Sequence, residues 1–368
     1  MRTIRRLIYR EVFSAVAFVT LGFLALFFFF DCVEELQSIG RNGAAGYQLV
    51  HALSFVALMV PSHLYELLPI TVLIGTIFVM ARFAQSSEYT ILRTSGLGPW
   101  RALRTLLLLG LGFVVLTFAI GDYLAPLSDR TAQLLKARFQ GRITVGQTGA
   151  WLKEKQEYSQ FMANVGSLAS DGSMRKVHIY EFDNKGFLMS MVHADAARFA
   201  GGEAWLLDEA ERTEFITRGT DGMRVERRAA ASFRWPTQIS AEMVSAAVLK
   251  PERMGTIDLF EYIQHLDANG QTAQRYEIEF WKKVFYPLSC LVMVVLALPF
   301  AYLHFRSGGI ATYVFGGVMA GISFFLLNNV FGYIGNLQNW QPWLTAALPG
   351  MIYTLLSLTA FGWLVLRR

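Results

Sequence analysis

Long apolar runs alternate with short charged segments along this chain of 368 residues. One polar block, residues 126–280, interrupts the alternation, with three apolar runs before it and three after it. A bilayer core of about 30 Å needs about 20 apolar residues for each helical crossing. The pattern therefore predicts an α-helical membrane protein with six transmembrane helices in a 3+3 arrangement, at 12–30, 64–83, 106–120, 281–303, 310–333 and 343–366.

The second apolar run, residues 52–81, is longer than one upright crossing needs, because about 30 helical residues extend about 45 Å. Pro61 lies inside this run. We expect this proline to divide it into an interfacial helix and the second span. Glu66 falls near the outer end of that span, where an intramembrane carboxylate is a functional candidate and a hydrated side chain is the alternative.

The polar block begins with a helical pattern at 127–139 and then changes to the period of two that is typical of strands. Turn signals such as Thr220-Asp221-Gly222 separate its β-rich runs. These runs lie at 150–152, 158–165, 176–182, 187–192, 194–199, 204–207 and 223–235. Short strands at this spacing predict an antiparallel sandwich or jelly roll, and helices at 257–268 and 273–280 lead back to the apolar part. The predicted domains are residues 1–125, 126–280 and 281–368.

Composition and charge placement agree with a membrane protein. Hydrophobic residues make up 54% of the chain and charged residues 17%, well below the quarter that is usual in soluble proteins. The net charge is +5, but the arginines lie at the ends of apolar runs, where a cytoplasmic membrane surface favours them. This placement argues against a nucleic-acid partner. The short segments predicted to lie inside hold eleven Arg, whereas the short outer loops hold only Arg41. The positive-inside rule then predicts cytoplasmic termini and an external polar block.

The inner segment 82–104 contains a short helical pattern. Ser86 or Ser87 can cap a helix over residues 88–94, and Gly96 can end it. An amphipathic helix of this length at the tips of two longer spans is a place where a soluble partner can dock. An ordinary polar connector is the alternative.

Motifs for catalysis are absent from the sequence. His178 and His193 are isolated in the sequence and lack the spacing of a metal site. The chain also lacks a Gly-x-x-x-x-Gly-Lys-[Ser/Thr] phosphate-binding loop, so we expect ATP to be bound by another subunit. An enzyme acting on lipid-linked sugars would need paired carboxylates, and nothing gives Asp122 and Glu66 such a role. The sequence predicts a non-enzymatic protein without a cofactor of its own.

Four short motifs point to one family. They are the inner stretch AQSSEYTILRTSG, the exit sequence GDYLAP, the strand sequence ADAARF and the span-four entry WKKVFYPLS. With these motifs in this order, the chain resembles the lipopolysaccharide-export permease family over essentially its whole length. The family has two paralogues, LptF and LptG, and the acidic residues Asp31, Glu34 and Glu35 after the first span look more like LptG.

The resemblance implies a permease subunit of an ABC transporter in the bacterial inner membrane. Such a subunit extracts lipopolysaccharide and passes it to a periplasmic bridge for export to the outer membrane. The partners implied are an LptF-like permease as heterodimer, a cytoplasmic LptB-like ATPase dimer, a single-span LptC-like protein and a periplasmic LptA-like bridge. The alternatives are the LptF-type paralogue and a mechanotransmitting ABC subunit, although the latter usually carries its outer domain between spans one and two.

The resemblance also implies two sites. Glu88 matches the position that meets an arginine of the ATPase, within a coupling helix of about residues 86–96 that also includes Tyr89, Ile91, Leu92, Ser95 and Gly96. Lys136 matches a basic position at the outer rim, where lipid phosphates are expected, and Arg130 and Arg138 are further candidates.

This chain departs from the family pattern at the rim. The family's basic residues after the first span are replaced by Asp31, Gln37 and Ser38, and an expected arginine is Gln133. The fifth span places Phe324, Asn328 and Phe331 on one face at i, i+4 and i+7. We expect this face, with Phe27, to line the lipid cavity; ordinary helix packing is the alternative.

Overall fold

The computed structural model describes most of the chain. The described residues are 2–39, 47–86, 91, 94, 96, 98–140, 149–156, 159–169, 172–201, 204–217, 223–241, 243–244, 251–302 and 310–363. They form two compact units. The first comprises Met1–Glu34, Val56–Ser128 and Glu277–Arg368, and the second comprises Glu35–Phe55 and Asp129–Tyr276. The second unit therefore includes the segment between the first two long helices as well as the polar block.

Six helices among the described residues are long and apolar enough to cross a membrane, which confirms the predicted number of spans. The helices are α1 (Arg2–Ser38), α2 (Leu49–Gln85), α3 (Pro99–Ala119), α4 (Ala125–Gln140), α5 (Thr256–Ala268), α6 (Gln274–Phe285), α7 (Ser289–Ala297), α8 (Ile310–Leu337) and α9 (Pro342–Phe361). Short 3₁₀ turns at Tyr286–Leu288 and Leu298–Tyr302 flank α7. The fourth span thus runs from α6 through α7.

Helix α2 runs without interruption through Pro61 and Pro69. The prediction that Pro61 divides this run was therefore wrong. A proline removes one backbone hydrogen bond, which is costly in an isolated helix. Helix α2 is instead the most deeply packed of the six, with 83% of its most apolar window buried. Packing of this kind holds a proline-containing helix together in a membrane.

A π-helical turn, Ile120–Leu124, joins α3 to α4. The amide of Ala125 donates to the carbonyl of Ile120, the wide spacing of a π turn. The carbonyl of Gly121 accepts from the buried ammonium of Lys283 across 2.9 Å. Gly121 is required here, because a side chain would collide with the ring of Tyr65. These contacts explain the GDYLAP and WKKVFYPLS motifs as two halves of one packing arrangement.

The second unit contains one six-stranded antiparallel sheet among the described residues. Its strands are β1 (Ala150–Lys155), β2 (Ser159–Leu168), β3 (Met174–Asp183), β4 (Leu188–Phe199), β5 (Ala204–Thr217) and β6 (Met223–Pro236). Neighbouring strands follow chain order throughout, so the sheet is a meander. The prediction of an inserted antiparallel β domain is confirmed.

The two runs predicted at 187–192 and 194–199 form the single strand β4. His193 does not break the strand, because Val192 and Ala194 on either side of it both point into the core. The alternation of buried and outer positions therefore continues through His193, where the sequence prediction had divided the strand.

The core of the sheet is closed by the segment that follows β6. The indole Nε1 of Trp205 donates to the carbonyl of Ile239 across 2.7 Å, and Trp205 is fully buried. The buried carboxylate of Glu154 in β1 accepts from the hydroxyl of Thr237 and, across 3.1 Å, from the amide of Gln238. These hydrogen bonds satisfy polar groups that would otherwise be costly to bury.

Candidate functional site

The residue predicted to bind lipid phosphate, Lys136, is already paired with a carboxylate. Its ammonium in α4 donates to Oε2 of Glu35, near the end of α1, across 2.8 Å. The hydroxyl of Tyr47 donates to the other oxygen, Oε1, across 2.9 Å. The ammonium also lies 4.6 Å from the centre of the Phe55 ring. We refer to Glu35, Tyr47, Phe55 and Lys136 as the Glu35 cluster.

The ion pair of this cluster is largely buried, so water screens its charges less than it would at the surface. The Glu35 side chain is 7% exposed and the Lys136 side chain 31% exposed. Burial, followed by the charge and hydrogen bond of Glu35, raises the pKa of Tyr47 above its ordinary value. The phenol is therefore protonated at neutral pH and acts as a donor. One carboxylate thus receives a charged donor on one oxygen and a neutral donor on the other.

Local structure fixes the position of Tyr47. It stands just before α2, where the amide of Gln48 donates to Nδ1 of His51 across 3.1 Å. The Tyr47 ring stacks on the His51 ring with 6.0 Å between centroids. Sequence reasoning missed Tyr47 and Phe55, since neither carries a motif and both are distant in sequence from Lys136.

The two other rim candidates lie on the same helix as Lys136. Arg130 is exposed in the first half of α4. Arg138 belongs to the last turns of α4, and its side chain lies outside the described part of the structure. Gln133, which stands where an arginine was expected, is half-buried.

A second acidic residue of the first span is also paired. Nε2 of His63 lies 2.7 Å from Oδ2 of Asp31. The ring of Phe27, a predicted cavity residue, lies 5.1 Å from the imidazole between centroids. Two acidic residues near the end of α1 are therefore paired with a basic or protonatable side chain: Asp31, which stands at an expected basic position, with His63, and Glu35 with Lys136.

The face predicted on the fifth span is largely engaged in packing. Phe324 is buried, and its ring packs edge-on against Tyr353 with 5.0 Å between centroids. The amide of Asn328 donates to the carbonyl of Phe324 across 3.4 Å. Phe331 lies 6.4 Å from the Trp340 ring between centroids. For Phe324 in the single chain, ordinary helix packing is what the structure shows.

A pocket of about 310 Å³ lies between α1, α2 and α8 in the first unit. Apolar side chains including Phe18, Val79 and Val314 line it. At one end Arg82 donates to Glu11 across 2.6 Å. None of the four predicted cavity residues is among its lining residues, and sequence reasoning did not find it because its walls come from three separate spans.

The predicted coupling helix falls mostly outside the described residues, and this applies to Glu88, Tyr89, Leu92 and Ser95. Ile91 is exposed, and the hydroxyl of Thr94 donates to its carbonyl across 2.9 Å. Gly96 has a φ of +97°, the left-handed conformation that glycine adopts freely. Ser86 directly follows α2, and its hydroxyl donates to the carbonyl of Arg82 in the last turn of that helix.

The two histidines of the sheet, which are far apart in the sequence, are neighbours in the structure. His178 in β3 and His193 in β4 are register partners, with their rings 4.5 Å apart between centroids. Burial and the neighbouring His193 lower the pKa of His178. No set of three His, Cys, Asp or Glu able to hold a metal occurs within the described ranges.

Comparison with known proteins agrees with this architecture. The family model "Lipopolysaccharide export system permease LptF/LptG" matches residues 6–366. The lipopolysaccharide export system permease protein LptG of Escherichia coli K12 is 25% identical over 366 residues, which cover 99% of this chain and 98% of that protein. LptG of Haemophilus influenzae is 25% identical over 376 residues, covering 100% and 99%. The matches therefore include the six apolar helices and the inserted sheet alike.

Proposed function

Because the chain belongs to the LptF/LptG family of lipopolysaccharide export system permeases, we propose that it is the LptG-type permease of an ABC transporter. In this proposal it extracts lipopolysaccharide from the bacterial inner membrane and passes it to a periplasmic bridge. The observation that carries the proposal is the match over residues 6–366, which covers both the membrane helices and the inserted sheet. The full-length similarity to two LptG proteins favours the LptG type over the LptF type.

The physical requirements of the cargo support this proposal. Each buried CH₂ is worth about 0.8 kcal/mol, so exposing one acyl chain of about a dozen carbons costs roughly 10 kcal/mol. A lipid with several such chains needs a continuous apolar route and an external source of energy. The apolar helices and the core face of the sheet provide the apolar route. The sequence has no phosphate-binding loop, so a cytoplasmic LptB-like ATPase dimer supplies the energy, and this chain carries no cofactor.

The assembly that we propose contains further partners. A paralogous LptF-like permease forms the other half of the cavity, with a single-span LptC-like protein beside the pair and an LptA-like bridge beyond it. Within this chain, Lys136, Arg130 and Arg138 contact lipid phosphates, and Phe27 and Phe331 with Asn328 face the acyl chains. The helix that begins near Glu88 docks on the ATPase.

Purification of the chain with the subunits encoded beside it tests the proposal. We expect mass spectrometry to find lipopolysaccharide, an ATPase and a second permease in the preparation. Phospholipid alone, with the ATPase present, would contradict lipopolysaccharide transport and favour a mechanotransmitting subunit. A second permease of the LptG type would instead assign this chain to the LptF type.

The orientation in the membrane gives a separate prediction. With both termini in the cytoplasm, a cysteine at Gly222 should react with a membrane-impermeant thiol reagent in spheroplasts, and a cysteine at Ser95 should not. The reason is that Gly222 belongs to the inserted block and Ser95 to an arginine-rich inner segment. Labelling of both positions after lysis controls for accessibility, and equal labelling before lysis would contradict the orientation.

A further inference from the structure

The Glu35 cluster is arranged as an anion-binding site that one of the chain's own carboxylates occupies. Tyr47 precedes α2 in the sequence and Lys136 follows it, yet both donate to Glu35. We propose that Glu35 holds the place of a lipid phosphate, that Tyr47 and Lys136 together bind that phosphate, and that Glu35 restricts the site to phosphomonoesters. This inference rests on the proposed function, since it identifies the lipid group that the rim recognises.

The geometry of the donors fits a phosphate as well as a carboxylate. The two donors are 2.8 and 2.9 Å from two different oxygens of the same group. A phosphate presents oxygens with a similar spacing and forms charge-assisted hydrogen bonds of the same length. Tyr47 is thus assigned as a ligand in addition to Lys136, on the basis of the oxygen that it contacts.

Charge explains why Glu35 selects among phosphates. In the structure the ammonium of Lys136 is neutralised by a largely buried carboxylate, so an incoming anion must replace an existing ion pair. A phosphodiester offers a single negative charge, the same as Glu35, and gains little from the exchange. A phosphomonoester carries about −1.5 to −2 at neutral pH and has an additional acceptor oxygen. The exchange is therefore favourable only for the phosphomonoester.

The released carboxylate has a short path to water. Glu35 lies in the last turn of α1, and its neighbours Glu34 and Leu36 are exposed. In this proposal the Glu35 side chain rotates toward that side when phosphate binds, which lowers the cost of leaving a buried charge without its partner. Glu34, one residue away and already exposed, provides a matched control for the loss of a negative charge at this position.

Binding of two lipids with identical acyl chains tests the inference. Phosphatidic acid presents a phosphomonoester and phosphatidylglycerol a phosphodiester. The full chain, purified with its co-purifying subunits, should bind phosphatidic acid about tenfold more tightly. Glu35→Gln should strengthen the binding of phosphatidylglycerol until the preference falls to about twofold. Tyr47→Phe should weaken the binding of phosphatidic acid about tenfold, the effect of losing one hydrogen bond to a charged group. Glu34→Gln should match the wild type.

Several results would overturn the inference. Equal effects of Glu34→Gln and Glu35→Gln would mean that only the net charge matters, and an unchanged Tyr47→Phe would remove Tyr47 as a ligand. If Glu35→Gln fails to fold, Tyr47→Phe still tests the inference, because this substitution removes only the hydroxyl group and leaves the ring in place. The proposed function fails separately: absence of lipopolysaccharide from the preparation contradicts transport even if phosphatidic acid is preferred. Co-purified lipopolysaccharide with no response in the variants overturns the inference alone.

Discussion

Replacing Trp205 with alanine is expected to destabilise the β domain by about 3–5 kcal/mol, a large fraction of the about 5–15 kcal/mol that keeps a typical domain folded. Trp205 is 0% exposed, and its ring packs against Phe199 with 5.2 Å between centroids. Its indole is also the donor to the carbonyl of Ile239. Alanine would leave a cavity in the core of the β domain and would also leave that carbonyl without this donor.

Limited proteolysis of the full chain in detergent measures the effect. A loss of 3 kcal/mol or more should raise the rate of cleavage within the β domain by about a hundredfold or more when cleavage follows domain opening. Trp151→Ala is the matched control, because Trp151 lies in the same sheet but is 48% exposed and stacks on Tyr180 near the surface. Similar cleavage rates for the two variants would contradict the assigned role of Trp205 in the core.

The membrane helices could be predicted from the sequence because each span depends on a local quantity. About 20 consecutive apolar residues are sufficient to indicate a crossing, whatever surrounds it. The strands followed from their period of two in the same way. Pro61 shows where a local rule fails: the propensity of one residue was outweighed by the packing of α2 against other helices. Propensity is a weak prior when tertiary contacts compete with it.

The site could not be predicted in the same way, because its contacts join distant parts of the chain. Lys136 was assigned as a phosphate ligand by resemblance, and Glu35 was noted only as an acidic residue after the first span. No periodicity connects two residues 101 positions apart. Phe324 shows a related difficulty: the helical period shows which residues share a face but not which element covers that face. Here it is covered in part by Tyr353.

The substitution Glu88→Arg is expected to abolish lipid export while the permease remains folded in the membrane. Glu88 lies at the start of a short predicted helix, where a carboxylate stabilises the helix N-terminus by only about 0.3–1 kcal/mol. A charge pair broken at a protein interface costs about 2–5 kcal/mol, which is about 30-fold or more in affinity. An arginine at this position would also face the arginine of the ATPase that the family resemblance implies.

Two measurements distinguish a helix-start role of Glu88 from a docking role: the size of the loss on substitution, and its rescue by a compensating change in the ATPase. Glu88→Ala should lower the amount of ATPase that co-purifies with the permease, and Glu88→Arg should lower it further, with unchanged amounts of permease in the membrane. Exchanging the charges, with the ATPase arginine changed to glutamate, should restore part of the export lost in Glu88→Arg, since attraction replaces repulsion. The same ATPase variant with the wild-type permease serves as the control and should be defective. Full export and normal ATPase co-purification in Glu88→Ala would leave Glu88 as a helix-start residue and remove it from the docking surface.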